Sequence, residues 1–165
     1  MSWSKIISAT AIITFIFGIT TIDCAVAGEK MKYHGTGVSS NWQQIEVGDE
    51  KGHVLVMFEA KQIFINETTG EKIVSVSKNT MDLNPKAGKI TVKGYGVTID
   101  PNGDQLIRKQ EGKAVGKGHM KGTWSYIKAT GKYEGYKGGG TWESWSLAPQ
   151  ISYYEVNSEE DRPKQ

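Results

Sequence analysis

Two carboxylates and a group of aromatic rings are the residues of this chain whose types and surroundings suit them to chemistry. Glu59 and Glu143 each sit inside an apolar or aromatic stretch, V-L-V-M-F-E-A-K and T-W-E-S-W-S. Desolvation drives a carboxyl group enclosed by apolar side chains towards its neutral form, in which it could serve as a general acid or base. Strict alternation along a strand opposes that role: it sets Glu59 against the face of Val54, Val56 and Phe58, and Glu143 against Trp142. Both are then outward charges on a wall, unless a bulge nearby turns one inward. Trp124, Tyr126, Trp142, Trp145 and Tyr153 form the densest aromatic group. Trp124 and Tyr126 share one strand face, whereas Trp142 and Trp145 lie on opposite faces. Inward-facing members, with Phe58, would offer a flat apolar surface to an aromatic or lipid ligand. In a filled interior the same rings would be core, and outward members would stack on sugars or form a subunit interface.

Other motifs carry less. His34, His53 and His119 are far apart and would make a metal site only if the fold gathered them, so no metal and no cofactor is expected. Gly138-Gly139-Gly140 lacks the lysine and the helix onset of a phosphate loop. Asp100-Pro101-Asn102-Gly103-Asp104 holds two carboxylates without the ligand spacing of a calcium loop, and reads as a plain turn. Asn66-Glu67-Thr68 matches a glycosylation sequon, a pattern short enough to recur by chance.

The chain has 165 residues, which fits one domain. Residues 1–27 have the pattern of a cleavable signal peptide. Lys5 supplies a positive start, Ile6–Ile22 is uncharged and mostly apolar, and Ala25-Val26-Ala27 places small residues before a cut at Gly28. As a membrane span the run is short and Thr-rich, so no stable anchor is expected after cleavage and the protein would be periplasmic or secreted. The sole cysteine, Cys24, leaves with the leader. A formal net charge of +2 lacks the basic surplus that a nucleic-acid partner calls for.

The elements that must position these residues read as strands. Gly52–Asn66 is the clearest, with Val54, Val56, Phe58, Ala60 and Phe64 on one face at period two. Its opposite face is mixed, which points to a cover from another chain or a terminal segment. Further strands are expected at Glu29–Ser39, Glu71–Val76, Lys89–Ile99, Gln105–Glu111, His119–Ala129, Trp142–Leu147 and Ile151–Val156. Gly94 and Gly96 would permit a sharp bend, and Trp42 and Ile45 fall in a polar connection, over a barrel mouth or pinning a loop. Residues 157–165 are charged and read as a loose, disordered tail. About eight short strands joined by Gly, Asn and Pro turns predict an antiparallel barrel or sandwich over residues 28–156, the barrel being favoured because closure removes exposed edges.

Gly122–Trp142, reading G-T-W-S-Y-I-K-A-T-G-K-Y-E-G-Y-K-G-G-G-T-W, resembles the late hairpin of the allene oxide cyclase-like barrels, relatives of the dirigent proteins. The carrying positions are Thr130, Gly131, Tyr133, Gly135 and Gly138, preceded by Asn102-Gly103-Asp104. The resemblance implies an eight-stranded calycin-type barrel with a lipophilic cavity, assembled as a homodimer or homotrimer. It implies steering of a reactive guest, by ring closure or by radical coupling, and matches no polar residue that acts in either family. The expectation is an exported barrel that binds or steers a small apolar or aromatic molecule through Phe58, Trp124, Tyr126 and Trp142. The alternatives are a cofactor-free isomerase or cyclase using Glu59 or Glu143, and a structural envelope or interaction protein with a filled barrel.

Overall fold

The computed structural model describes residues 28–163; the expected leader, residues 1–27, lies outside the described residues. Eight strands follow one another: β1 (Glu29–Glu46), β2 (Val54–Asn66), β3 (Lys72–Asn84), β4 (Lys89–Ile99), β5 (Gln105–Gly116), β6 (His119–Ala129), β7 (Lys137–Ala148) and β8 (Ile151–Asp161). Each pairs antiparallel with the next and β8 returns to β1, giving a closed barrel. Closure satisfies every strand on both sides, so polar stretches extend the ladder as readily as apolar ones. Among the described residues no helix is long and apolar enough to cross a membrane.

Polar sequence therefore misleads about where strands stop. β1 runs on through Trp42 and Ile45 to Glu46, and β3 continues past Val76 to Asn84. The expected loose tail over 157–165 is corrected in the same way over its first five residues, while residues 164 and 165 lie outside the described residues. Residues 157–161 complete β8 against β1, and Glu160 there is only 2% exposed. The glycine run 138–140 belongs to β7 rather than to a loop, because neighbouring backbone passes where a Cβ would stand. The turn proper is Thr130–Tyr136, a single 3₁₀ turn (Gly131–Tyr133) in which Gly131 takes a positive φ of 56°.

Asp100 and Asp104 close their turn by accepting hydrogen bonds. Asp100 Oδ1 receives the N–H of Asn102 at 2.8 Å and of Asp104 at 2.9 Å, and Oδ2 meets Lys132 Nζ at 2.9 Å. Asp104 Oδ2 receives the N–H of Lys132, which ties this turn to the β6–β7 connection. The Lys132 hydrogen bond is the main reason that the Asp100 carboxyl is held below its ordinary range.

Candidate functional site

Period two decides what faces inward. On β2 the inward set is Val54, Val56, Phe58, Ala60, Gln62, Phe64 and Asn66, with Leu55, Met57 and Ile63 outside. On β1 the inward parity changes once. Ser39 pairs with Ala60 but Gln44 pairs with Val56, and the irregularity between them holds Asn41 at φ 55°. That bulge turns Trp42 in beside Phe58, where the rings stack at 4.8 Å and 10°.

The inward side chains leave a cavity of about 290 Å³ along the barrel axis. One part of its wall is apolar: Val92, Trp124 and Trp142 form the core, with Phe58, Met120, Tyr126 and Val156 packed against it. Trp142 fits because Gly112 and Gly122 lack side chains; its ring occupies the space a Cβ at either would take, and its Nε1 donates to Thr123 O at 3.2 Å. Trp124 meets Tyr126 edge-on at 4.8 Å.

The rest of the wall is polar. Arg108, two residues beyond buried Leu106 on β5, points inward and donates from Nη1 to Ser75 Oγ at 2.8 Å and from Nη2 to Gln62 Oε1 at 3.1 Å. Gln110 donates to Asn79 Oδ1 at 2.8 Å, and Asn79 donates to Ser77 Oγ at 3.0 Å. Gly94 and Gly96 make this possible. They lie within β4 opposite Gln110 and Arg108, and the space a Cβ would fill is occupied by Asn79 and by the guanidinium. Their role is room for these side chains, in place of the expected bend. Towards the β6–β7 end, Glu160 meets Arg162 Nη2 at 3.2 Å, and the same Nη2 donates to the Tyr33 hydroxyl at 3.0 Å. Burial, then the charge of Glu160, pushes the Tyr33 hydroxyl up to about 12. Burial likewise raises Tyr126 and Tyr154, so the phenols on this wall stay neutral at physiological pH.

Phe58, Trp124, Tyr126 and Trp142, singled out from the sequence, all line the cavity. Glu59 and Glu143 do not. Glu59 is on the outer wall, accepting from Asn41 Nδ2 at 3.1 Å with Lys78 Nζ at 4.0 Å. Glu143 is outside between Lys121 Nζ and His119 Nε2, each at 2.9 Å, and those two hydrogen bonds hold its carboxyl below the ordinary range. Neither reaches the cavity, so the general acid–base role expected for an enclosed carboxyl has no support from their positions. The bulge nearest Glu59 lies across the pair, on β1, and leaves the parity of β2 intact; the one nearest Glu143 lies beyond it on β7, between Ser146 and Ala148. Trp145 is also outside, stacked on His119 at 4.8 Å and beside Tyr153 at 5.8 Å.

The three histidines stay apart, each beside its own carboxylate: His34 by Glu67, His53 between Asp49 and Asp82, His119 by Glu143. No group of His, Cys, Asp and Glu among the described residues is arranged to hold a metal ion. Sequence reasoning missed Gln62 and Arg108, whose signal was their parity with Ala60 and Leu106; it set Trp42 in a polar connection, over a barrel mouth or pinning a loop, where the bulge on β1 instead turns it in from a strand. Comparison with protein-family models and with curated protein sequences finds no match to this chain.

Proposed function

We propose that this barrel binds, and holds in one conformation, a small apolar or aromatic molecule in its central cavity. The observation that carries the reading is the cavity of about 290 Å³ with Trp42, Phe58, Trp124, Tyr126 and Trp142 on its wall. Clefts near this size, apolar with a few placed polar groups, are the usual form of small-molecule sites. A filled structural barrel would have no such space. Confinement of a reactive guest could speed a ring closure without a catalytic side chain. An isomerase working through Glu59 or Glu143 has less support, because both lie on the outer wall.

Export to the periplasm or outside the cell belongs to this proposal, on the pattern of residues 1–27. So does kinship with the allene oxide cyclase-like and dirigent-like barrels, on the Gly122–Trp142 hairpin and the closed eight-stranded form. Assembly into a homodimer or homotrimer is supported by outward aliphatic side chains on adjacent strands, Ile63 beside Val74, which are 51% and 60% exposed.

The test is titration with a neutral fluorescent probe, N-phenyl-1-naphthylamine. Trp124→Ala is expected to weaken its binding by about 1–3 kcal/mol, as for loss of a stacked aromatic anchor. An unchanged titration with an intact barrel would remove Trp124 from the site, and no binding by the unaltered protein would end the reading.

A further inference from the structure

We infer that the guest is a small monoanion, an aromatic or alicyclic carboxylate, with its charged head on Arg108 and its body among Phe58, Trp124 and Trp142. This rests on the cavity-binding reading above and adds the chemical class of the ligand.

The positive charge of Arg108 has no carboxylate beside it among the described residues. Arg108 is half-buried and lines the cavity inside the barrel wall, and burial of its guanidinium pulls its pKa down. A guanidinium nevertheless stays protonated in proteins, and a buried charge without a counter-charge is costly. The acids on the cavity wall are Glu71 and Glu160. Both are turned to Arg162, at 3.9 Å and 3.2 Å. Among the described residues no carboxylate lies within ion-pair distance of Arg108; the groups that influence its charge are the phenols of Tyr126 and Tyr154.

The donor geometry points the same way. Hydrogen bonds to Ser75 and Gln62 use one N–H on each of two nitrogens, out of five donors on a planar fork. Those contacts, and the guanidinium's seat against Gly96, hold the fork in place without neutralising it. A carboxylate meets such a fork in the plane with two parallel hydrogen bonds. The buried indole N–H of Trp124, on the same wall, also has no acceptor. Of the two arginines on the wall, only Arg108 has no carboxylate within ion-pair distance among the described residues, since Arg162 holds both Glu71 and Glu160, so a single negative charge at Arg108 fits better than a doubly charged phosphate. Tyr126, the cross-strand partner of Arg108, and Trp124 edge-on to it offer ring surfaces that suit a flat or cyclic body.

The test uses a matched pair, 2-naphthylacetate and the neutral 2-(2-naphthyl)ethanol, each displacing N-phenyl-1-naphthylamine from the purified protein. The carboxylate is expected to bind at least about tenfold tighter, as for a charge-assisted pair. Arg108→Gln should abolish that preference, read as the ratio of the two displacement constants on the variant. If both probes bind the unaltered protein equally, the anion inference is overturned and the cavity reading stands; if neither binds, the cavity reading has failed first. Should Arg108→Gln not fold, carbon-13 NMR of carboxyl-labelled 2-naphthylacetate on the unaltered protein decides. A bound carboxyl titrating below the free acid supports the inference, and one titrating above it overturns the inference.

Discussion

The guanidinium of Arg108 rests against the backbone of Gly96, its cross-strand partner, so closely that a Cβ at position 96 would stand 2.6 Å from Arg108 Cζ. Gly96 is therefore part of the polar wall although it has no side chain. Its φ is not positive, so the requirement is one of space alone.

Gly96→Ala should lower stability by about 1–3 kcal/mol, the range for overpacking a filled interior. Gly116→Ala is the comparison, since a Cβ there meets only His119 Cβ, at 3.8 Å. Its effect should stay within about 0.5 kcal/mol. Urea denaturation of both variants checks this; equal losses would refute the account of Gly96 as a spacer.

The end of β8 offers a second test. Glu160 is buried and its carboxylate is held by Arg162, whose side chain is 29% exposed. Arg162→Ala leaves Glu160 buried beside the Tyr33 hydroxyl without its cation. The expected loss is about 2–3 kcal/mol, at the low end for breaking a buried pair because the arginine is partly solvated. Truncation after Val156 should cost more than Arg162→Ala, since it also removes ladder bonds to β1. A truncated protein as stable as the full chain would restore the view of these residues as a tail.

A third prediction concerns pH. His53 Nδ1 lies 2.6 Å from Asp49 and Nε2 lies 3.0 Å from Asp82, a bridge from the β1–β2 connection to β3. The Asp49 hydrogen bond, more than Asp82, raises the imidazole above its ordinary 6.5. The folded value exceeds the unfolded one, so this contribution is complete below about pH 6.5 and is lost as pH rises through the folded value. Asp49 is lowered from 3.8, chiefly by the same hydrogen bond, so its contribution is lost as pH falls through its folded value. The protection of the amides over residues 47–53, relative to their intrinsic exchange at each pH, should be greatest between these limits and fall on the alkaline side. Proton NMR of His53 should show a midpoint above 6.5, moving down in Asp82→Asn; a midpoint at or below 6.5 would end the bridge.

Phe58, Trp124 and Tyr126 were legible as wall residues because each lies in an alternating stretch whose apolar face is plain; Trp142 was not legible in that way, since Trp145 marks the other face of its strand equally. Arg108 was not. Parity from Leu106 placed it inside, but a lone arginine facing inward is what the cost of burying charge argues against. Only the cross-barrel neighbours Ser75 and Gln62, with the space above Gly96, show how it is held. Asn157–Asp161 misled for the opposite reason: N-S-E-E-D carries no apolar signal, yet its backbone completes the ladder between β1 and β7.

By itself the sequence determined an all-β chain and the inward face of its best strands, because alternation and turn chemistry are properties of adjacent residues. Which strands pair, where Asn41 reverses the face of β1, and which side chains meet across the lumen were decided only by the tertiary structure. Register is set between segments distant in sequence, and a single inserted residue exchanges inside for outside. The carboxylates that looked reactive along the chain therefore stand on the outer wall, and Arg108, a charged group on the inner one, has surroundings that no neighbouring residue specifies.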